Sequence, residues 1–158
     1  MYKEILLNQI FNKFKNLSLK PKSITKIEKR INYTFLNKNL IEQAFTHKSI
    51  HHSPRLNYER LEFLGDSVLD MIISRELMRE FPDGDEGLLT QRRAALVQKP
   101  FLANMGRLIN LMDYLKIEKN IDLKVNKIAD KQIANIFEAL IGAIYLDGGI
   151  NPCKSLIL

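Results

Sequence analysis

The sequence predicts an all-α domain. Three observations carry that reading. Apolar residues recur at helical spacing in segment after segment, no stretch alternates with period two between hairpin turns, and all five prolines fall where one periodic segment gives way to the next.

The elements follow in order. Residues 2–16 place Ile5, Leu6, Ile10 and Phe14 on one face of an amphipathic helix, and Pro21 follows it. Residues 37–47 form a second helix, with Asn37 as N-cap and Leu40, Ile41, Ala44 and Phe45 as its buried face. Residues 58–81 give the longest periodic run (Leu61, Leu64, Val68, Ile72), preceded by Pro54 and stopped by Pro82. Residues 85–98 follow, capped by Asp85. Another helix runs from about Phe101 after Pro100, and one over 130–146 is stopped by Gly148-Gly149, with Pro152 opening the last segment.

A chain of 158 residues is read as one domain over 1–158, with its core at about 27–150. The hydrophobic fraction of 46% and the charged fraction of 27% suit a globular protein rather than a disordered one. The net charge of +6 favours polyanionic partners, nucleic acid or anionic lipid. The basic excess crowds the N-terminal part, from Lys3 to Arg30, opposed there only by Glu4 and Glu28. Cys153 stands alone, which excludes an intrachain disulfide and a cysteine-based zinc site and fits a reducing, cytoplasmic location. No signal-peptide stretch follows Met1, and no run approaches the about 20 apolar residues of a membrane span. No membrane partner is therefore expected.

The chemistry is concentrated in Glu59-Arg60-Leu61-Glu62-Phe63-Leu64-Gly65-Asp66. At about 100° per residue, Glu59, Glu62 and Asp66 fall within an arc of roughly 60° on one helix face. Like charges so spaced cost a helix roughly 0.2–0.5 kcal/mol per pair, and Gly65 costs about 1 kcal/mol relative to alanine. A hard divalent cation such as Mg²⁺ or Mn²⁺ accounts for the carboxylates, and a close helix crossing or ligand approach accounts for the glycine. The plainer alternative is a solvated acidic face paired with Arg60, Arg92 or Arg93, with Glu59 complementing the helix dipole. A second pattern, Asn135-Ile136-Phe137-Glu138, sets Asn135 and Glu138 at i, i+3 on a strongly apolar helix. An unpartnered Glu138 would be costly there, and either a metal or a basic partner would remove the cost.

Together these segments resemble the ribonuclease III family. The resemblance runs through Phe45-Thr46-His47-Lys48-Ser49, residues 59–68, Phe81-Pro82, Asp85-Glu86-Gly87, residues 93–97, residues 138–142 and Tyr145-Leu146-Asp147, in order over about 27–150. It implies an all-helical endonuclease domain forming a homodimer that holds double-stranded RNA and cuts it with Mg²⁺, Mn²⁺ being able to substitute. The products would carry 5′-phosphate and 3′-hydroxyl ends. By motif position the metal ligands would be Glu62, Asp66, Asn135 and Glu138, with Asp66 and Glu138 central to catalysis. Glu59 and Glu86 would be supporting acidic residues. Phe63 would enter the partner subunit at the dimer interface, against the plainer reading of a core aromatic.

One position departs from the pattern: the family usually carries aspartate where this chain has Asn135. An amide oxygen still coordinates a metal but brings no charge, so the affinity of the site for a hard cation is expected to fall. This leaves a second reading, an RNA-binding or scaffold protein of the same fold with impaired catalysis. No double-stranded-RNA-binding domain is expected within 1–158. His47 and His51 stand at i, i+4, but the zincin pattern needs Glu where Lys48 stands, so His47 is read as a packing or hydrogen-bonding residue. Asp83-Gly84-Asp85-Glu86-Gly87 lacks the full EF-hand loop and is read as a turn into a helix.

Overall fold

A computed structural model describes residues 24–121 and 126–158. The helix expected over 2–16 lies outside the described residues. Among those described there are seven α-helices and one 3-10 turn: α1 (Ile24–Ile31), α2 (Lys38–Ala44), α3 (Glu59–Glu80), α4 (Glu86–Val97), α5 (Lys99–Leu108), the 3-10 turn Leu111–Tyr114, α6 (Asn126–Gly148) and α7 (Ile150–Ile157). The described residues contain no strand, only an isolated parallel bridge between Thr46 and Lys116.

The sequence marks most boundaries correctly. Asn37 caps α2 by accepting from the Asn39 amide at 3.1 Å, and Asp85 caps α4 by accepting from the Leu88 amide at 2.8 Å. Several boundaries differ, among them the start of α6, at Asn126 rather than at about residue 130. α2 ends at Ala44 rather than at residue 47, because Phe45–His47 turn away to bond with residue 116. α5 begins at Lys99, two residues before Phe101, since a proline is tolerated in the first helical turn. α6 runs to Gly148, and Gly149 then takes a φ of 77°, a left-handed conformation that ends it. α1 was not anticipated; Asn32, at φ 52°, closes it.

α6 forms the centre. Ile133, Ala134, Ile136, Phe137, Ala139, Leu140, Ile141, Ala143 and Ile144 are all buried, so the middle of the helix is largely apolar and must be surrounded, with Gln132, Asn135 and Glu138 as its buried polar residues. α2, α3, α5 and α7 pack around it. The α3–α6 crossing is in backbone contact. A Cβ on Gly65 would lie 1.7 Å from the Glu138 carbonyl oxygen, and one on Gly142 would lie 2.2 Å from that of Leu61. Of the two explanations for Gly65 that the sequence left open, the close crossing is the one realised.

Two polar groups hold the periphery to this centre. The Asp147 carboxylate, at the end of α6, accepts from the Tyr33 hydroxyl at 2.6 Å and from the amides of Leu36 and Asn37 at 2.8 Å each. Burial works against its charge, but these donors hold it below the ordinary carboxylate value. Buried Arg30 donates to the Ile109 carbonyl at 3.0 Å, tying α1 to the end of α5.

Candidate metal centre at the α3–α6 crossing

The Gly65–Gly142 contact determines what meets there. It brings α3, with Glu62 and Asp66 flanking Gly65, against the stretch of α6 that carries Asn135 and Glu138. With no side chains between the backbones, short polar side chains from both helices converge at one edge of the crossing.

The Lys99 ammonium marks the convergence. It lies 2.7 Å from Glu138 Oε2, 2.9 Å from Asn135 Oδ1 and 3.4 Å from Glu62 Oε1. Three of the four expected ligands are therefore gathered around one cation. The Glu138 side chain is only 3% exposed, Glu62 24% and Lys99 47%. Burial pushes the Glu138 carboxyl up to about 7; Lys99 opposes the rise, while Glu62 and Asp66 reinforce it. Burial also raises Glu62, against the pull of Lys99. Burial works against the charge on Lys99, but Glu138 and Glu62 outweigh it and hold the ammonium above its ordinary value.

Asp66, the fourth expected ligand, is exposed on the next turn of α3, where its charge still acts on Glu138. Tyr58, buried at the start of α3, donates to Gln132 Oε1 at 2.7 Å, and burial pushes its hydroxyl up to about 12. It braces the face of α6 that carries Asn135.

The supporting residues stand apart from the ammonium. Glu59 pairs with Lys48 at 3.3 Å, and its amide donates to Asn57 Oδ1 at 3.0 Å. Glu86, in the first turn of α4, accepts from Thr90 within its own helix at 3.1 Å. Phe63 is 78% exposed and stands beside a groove lined by Arg55, Arg60, Leu64 and Leu146, so the core-aromatic reading fails. His47 is buried, with Nδ1 2.9 Å from Ser49 Oγ and its ring edge-on to Tyr58 at 5.7 Å, as its packing role predicted.

Sequence reading missed Lys99. The basic partners it named lie elsewhere: Arg93 donates to Ser74 at 2.9 Å, and Arg92 stacks on the Phe81 ring at 5.5 Å. Nothing local to Val97-Gln98-Lys99-Pro100 signals a contact 36 to 39 residues away. One cue was available, a lysine in the first turn of a helix, where the helix dipole disfavours a positive charge. Asp70 was also missed; burial raises its carboxyl, and its buried Oδ1 has no hydrogen-bond partner among the described residues.

Counting only His, Cys, Asp and Glu, no group of three lies close enough to hold a metal ion among the described residues. The group that is gathered contains an asparagine. Its donors are all oxygens, arranged about a cation, and this suits a hard divalent ion.

Residues 37–158 match the family described as Ribonuclease-III-like. The chain is 41% identical over 132 residues to Ribonuclease 3 of Sulfurovum sp. (strain NBC37-1), covering 84% of this chain and 58% of that protein. It is 40% identical over 138 residues to Ribonuclease 3 of Caldanaerobacter subterraneus subsp. tengcongensis, covering 85% and 60%. The chain thus spans about three-fifths of the length of these curated relatives. Among solved structures it is similar to the nuclease domain of ribonuclease III from Campylobacter jejuni, with a TM-score of 0.76, 36% identity and coverage of 85% of this chain and 92% of that one. That structure is described for flexibility in a region involved in dimer formation.

Proposed function

The chain belongs to the ribonuclease III family, and from that premise we propose that it is an endoribonuclease domain that hydrolyses phosphodiester bonds in double-stranded RNA. The observation that carries the reading is the gathering of Glu62, Asn135 and Glu138 oxygens around one ammonium at a glycine-mediated helix crossing.

Glu62, Asp66, Asn135 and Glu138 are the residues to hold Mg²⁺, with Mn²⁺ as a substitute. The bound cation would lower the pKa of water and offset phosphate charge. The protein's part is positional. Glu138 sits on the buried middle of α6, so its carboxylate is fixed in place and loses little freedom when it takes up a cation. Tyr58 and Gln132 restrain the Asn135 side of the site. Cleavage would leave 5′-phosphate and 3′-hydroxyl ends. Two copies would meet through Phe63 and its groove, placing two sites along one duplex. Recognition of A-form RNA would rest on shape, 2′-hydroxyl and phosphate contacts and would weaken steeply with salt. Among the described residues no helix is long and apolar enough to cross a membrane.

Asn135 is the observation that favours a second reading, an RNA-binding protein with impaired catalysis. Mg²⁺-dependent cleavage of a long RNA duplex, comparing this chain with Asn135→Asp, separates the two. Cutting by both supports the enzyme with asparagine as a working ligand. Cutting by the variant alone supports an impaired member of the lineage. Duplex binding with no cutting by either overturns the endonuclease reading.

A further inference from the structure

The geometry points to Lys99 as a resident countercation that occupies the metal position in the metal-free protein and must be displaced when a divalent ion enters. This inference rests on the proposed metal site. The three protons of an ammonium are matched to three oxygens, on Glu138, Asn135 and Glu62. These are three of the four atoms groups a divalent ion would draw on, and two cations cannot share them at contact distance without strong repulsion.

The two sides of the contact differ in freedom. Glu138 is fixed, with its side chain 3% exposed on the central helix. Lys99 is 47% exposed on a flexible four-carbon stem at the first residue of α5, so its ammonium can swing out without moving a helix. A positive charge in that first turn opposes the helix dipole, so its position is not explained by the stability of α5. It is explained by the carboxylates. Without a partner, Glu138 would be a buried charge with Glu62 beside it. Lys99 keeps the ligands gathered while the metal is absent, and in doing so it weakens metal binding.

Lys99→Met tests both halves. Thermal unfolding is followed in EDTA at pH 8, and Mn²⁺ affinity is measured by titration calorimetry. The variant is expected to unfold about 3 °C or more below the parent in EDTA and to bind Mn²⁺ roughly tenfold more tightly. A lysine with a purely structural role would lose the stability without the gain in affinity. Unchanged or weaker Mn²⁺ binding by the folded variant therefore overturns the inference, whatever its stability. If Lys99→Met does not fold in EDTA, Lys99→Gln keeps one hydrogen bond without the charge and is expected to shift affinity in the same direction. Failure of both the parent and the folded variant to bind Mn²⁺ overturns the metal-site reading itself, and the inference with it.

Discussion

Replacing Gly65 by alanine should destabilise the protein, although helix propensity alone predicts the opposite. In an isolated helix the change would gain about 1 kcal/mol. At the crossing, the new Cβ would lie 1.7 Å from the Glu138 carbonyl oxygen, 2.6 Å from its carbon and 2.9 Å from the Gly142 nitrogen. All three are backbone atoms, so no side chain can rotate away. Relief requires α3 and α6 to part by at least about 1.3 Å in a core packed at crystal-like density. Overpacking costs about 1–3 kcal/mol and sometimes more, and the backbone on both sides places this case at the upper end. The net loss should be about 2 kcal/mol. The assay is the urea midpoint of Gly65→Ala against the parent, with Gly87→Ala as a control. A Cβ on Gly87 meets only Asp85 Oδ1, at an ordinary 3.5 Å, so that variant should be neutral or slightly stabilised. If Gly65→Ala proves as stable as the parent, the helices are not in backbone contact and that contact does not assemble the site.

Three further outcomes are expected. Burial holds the Glu138 carboxyl up to about 7 against an ordinary 4.5, so the folded state keeps a proton that the unfolded chain releases. In EDTA, stability should therefore fall as pH rises from about 4.5 to 7, by at most roughly 3 kcal/mol. Glu138→Gln should flatten that difference between urea midpoints measured at pH 5 and 7.5, and an equally steep variant would show that Glu138 is not the source. Asp147 has the opposite sign. Its carboxylate is held below the ordinary value, so its contribution is present above about pH 4 and lost as pH falls further. Asp147→Ala should cost about 1–2 kcal/mol at pH 7 by thermal or urea unfolding, and an unchanged midpoint would refute the tether between α6 and the segment before α2. Phe63 is 78% exposed, so Phe63→Ser should change the folding stability of one subunit by less than about 0.5 kcal/mol while weakening self-association in sedimentation velocity. Unaltered association would remove Phe63 from the proposed interface.

The helical class, most of the helix boundaries and the carboxylate face of α3 are legible in the amino-acid order alone. These depend on neighbours in the chain. The 3.6-residue period, the Asn37 and Asp85 caps and the stop at Gly148-Gly149 are local signals, and the structure follows them. The apolar character of α6 around Glu138 is also local, since residues 139–144 carry no polar side chain. Which cation the acidic residues face depends on how the helices pack. The sequence offered Arg60, Arg92 and Arg93; the fold supplies Lys99, from a helix start 36 to 39 residues away from Asn135 and Glu138. It also decided that Gly65 serves a crossing and that Phe63 faces outward although Leu61 and Leu64 stand close to it in the sequence. A pair separated by dozens of residues leaves no periodic trace, since its distance is determined by how helices pack and not by how any one of them coils.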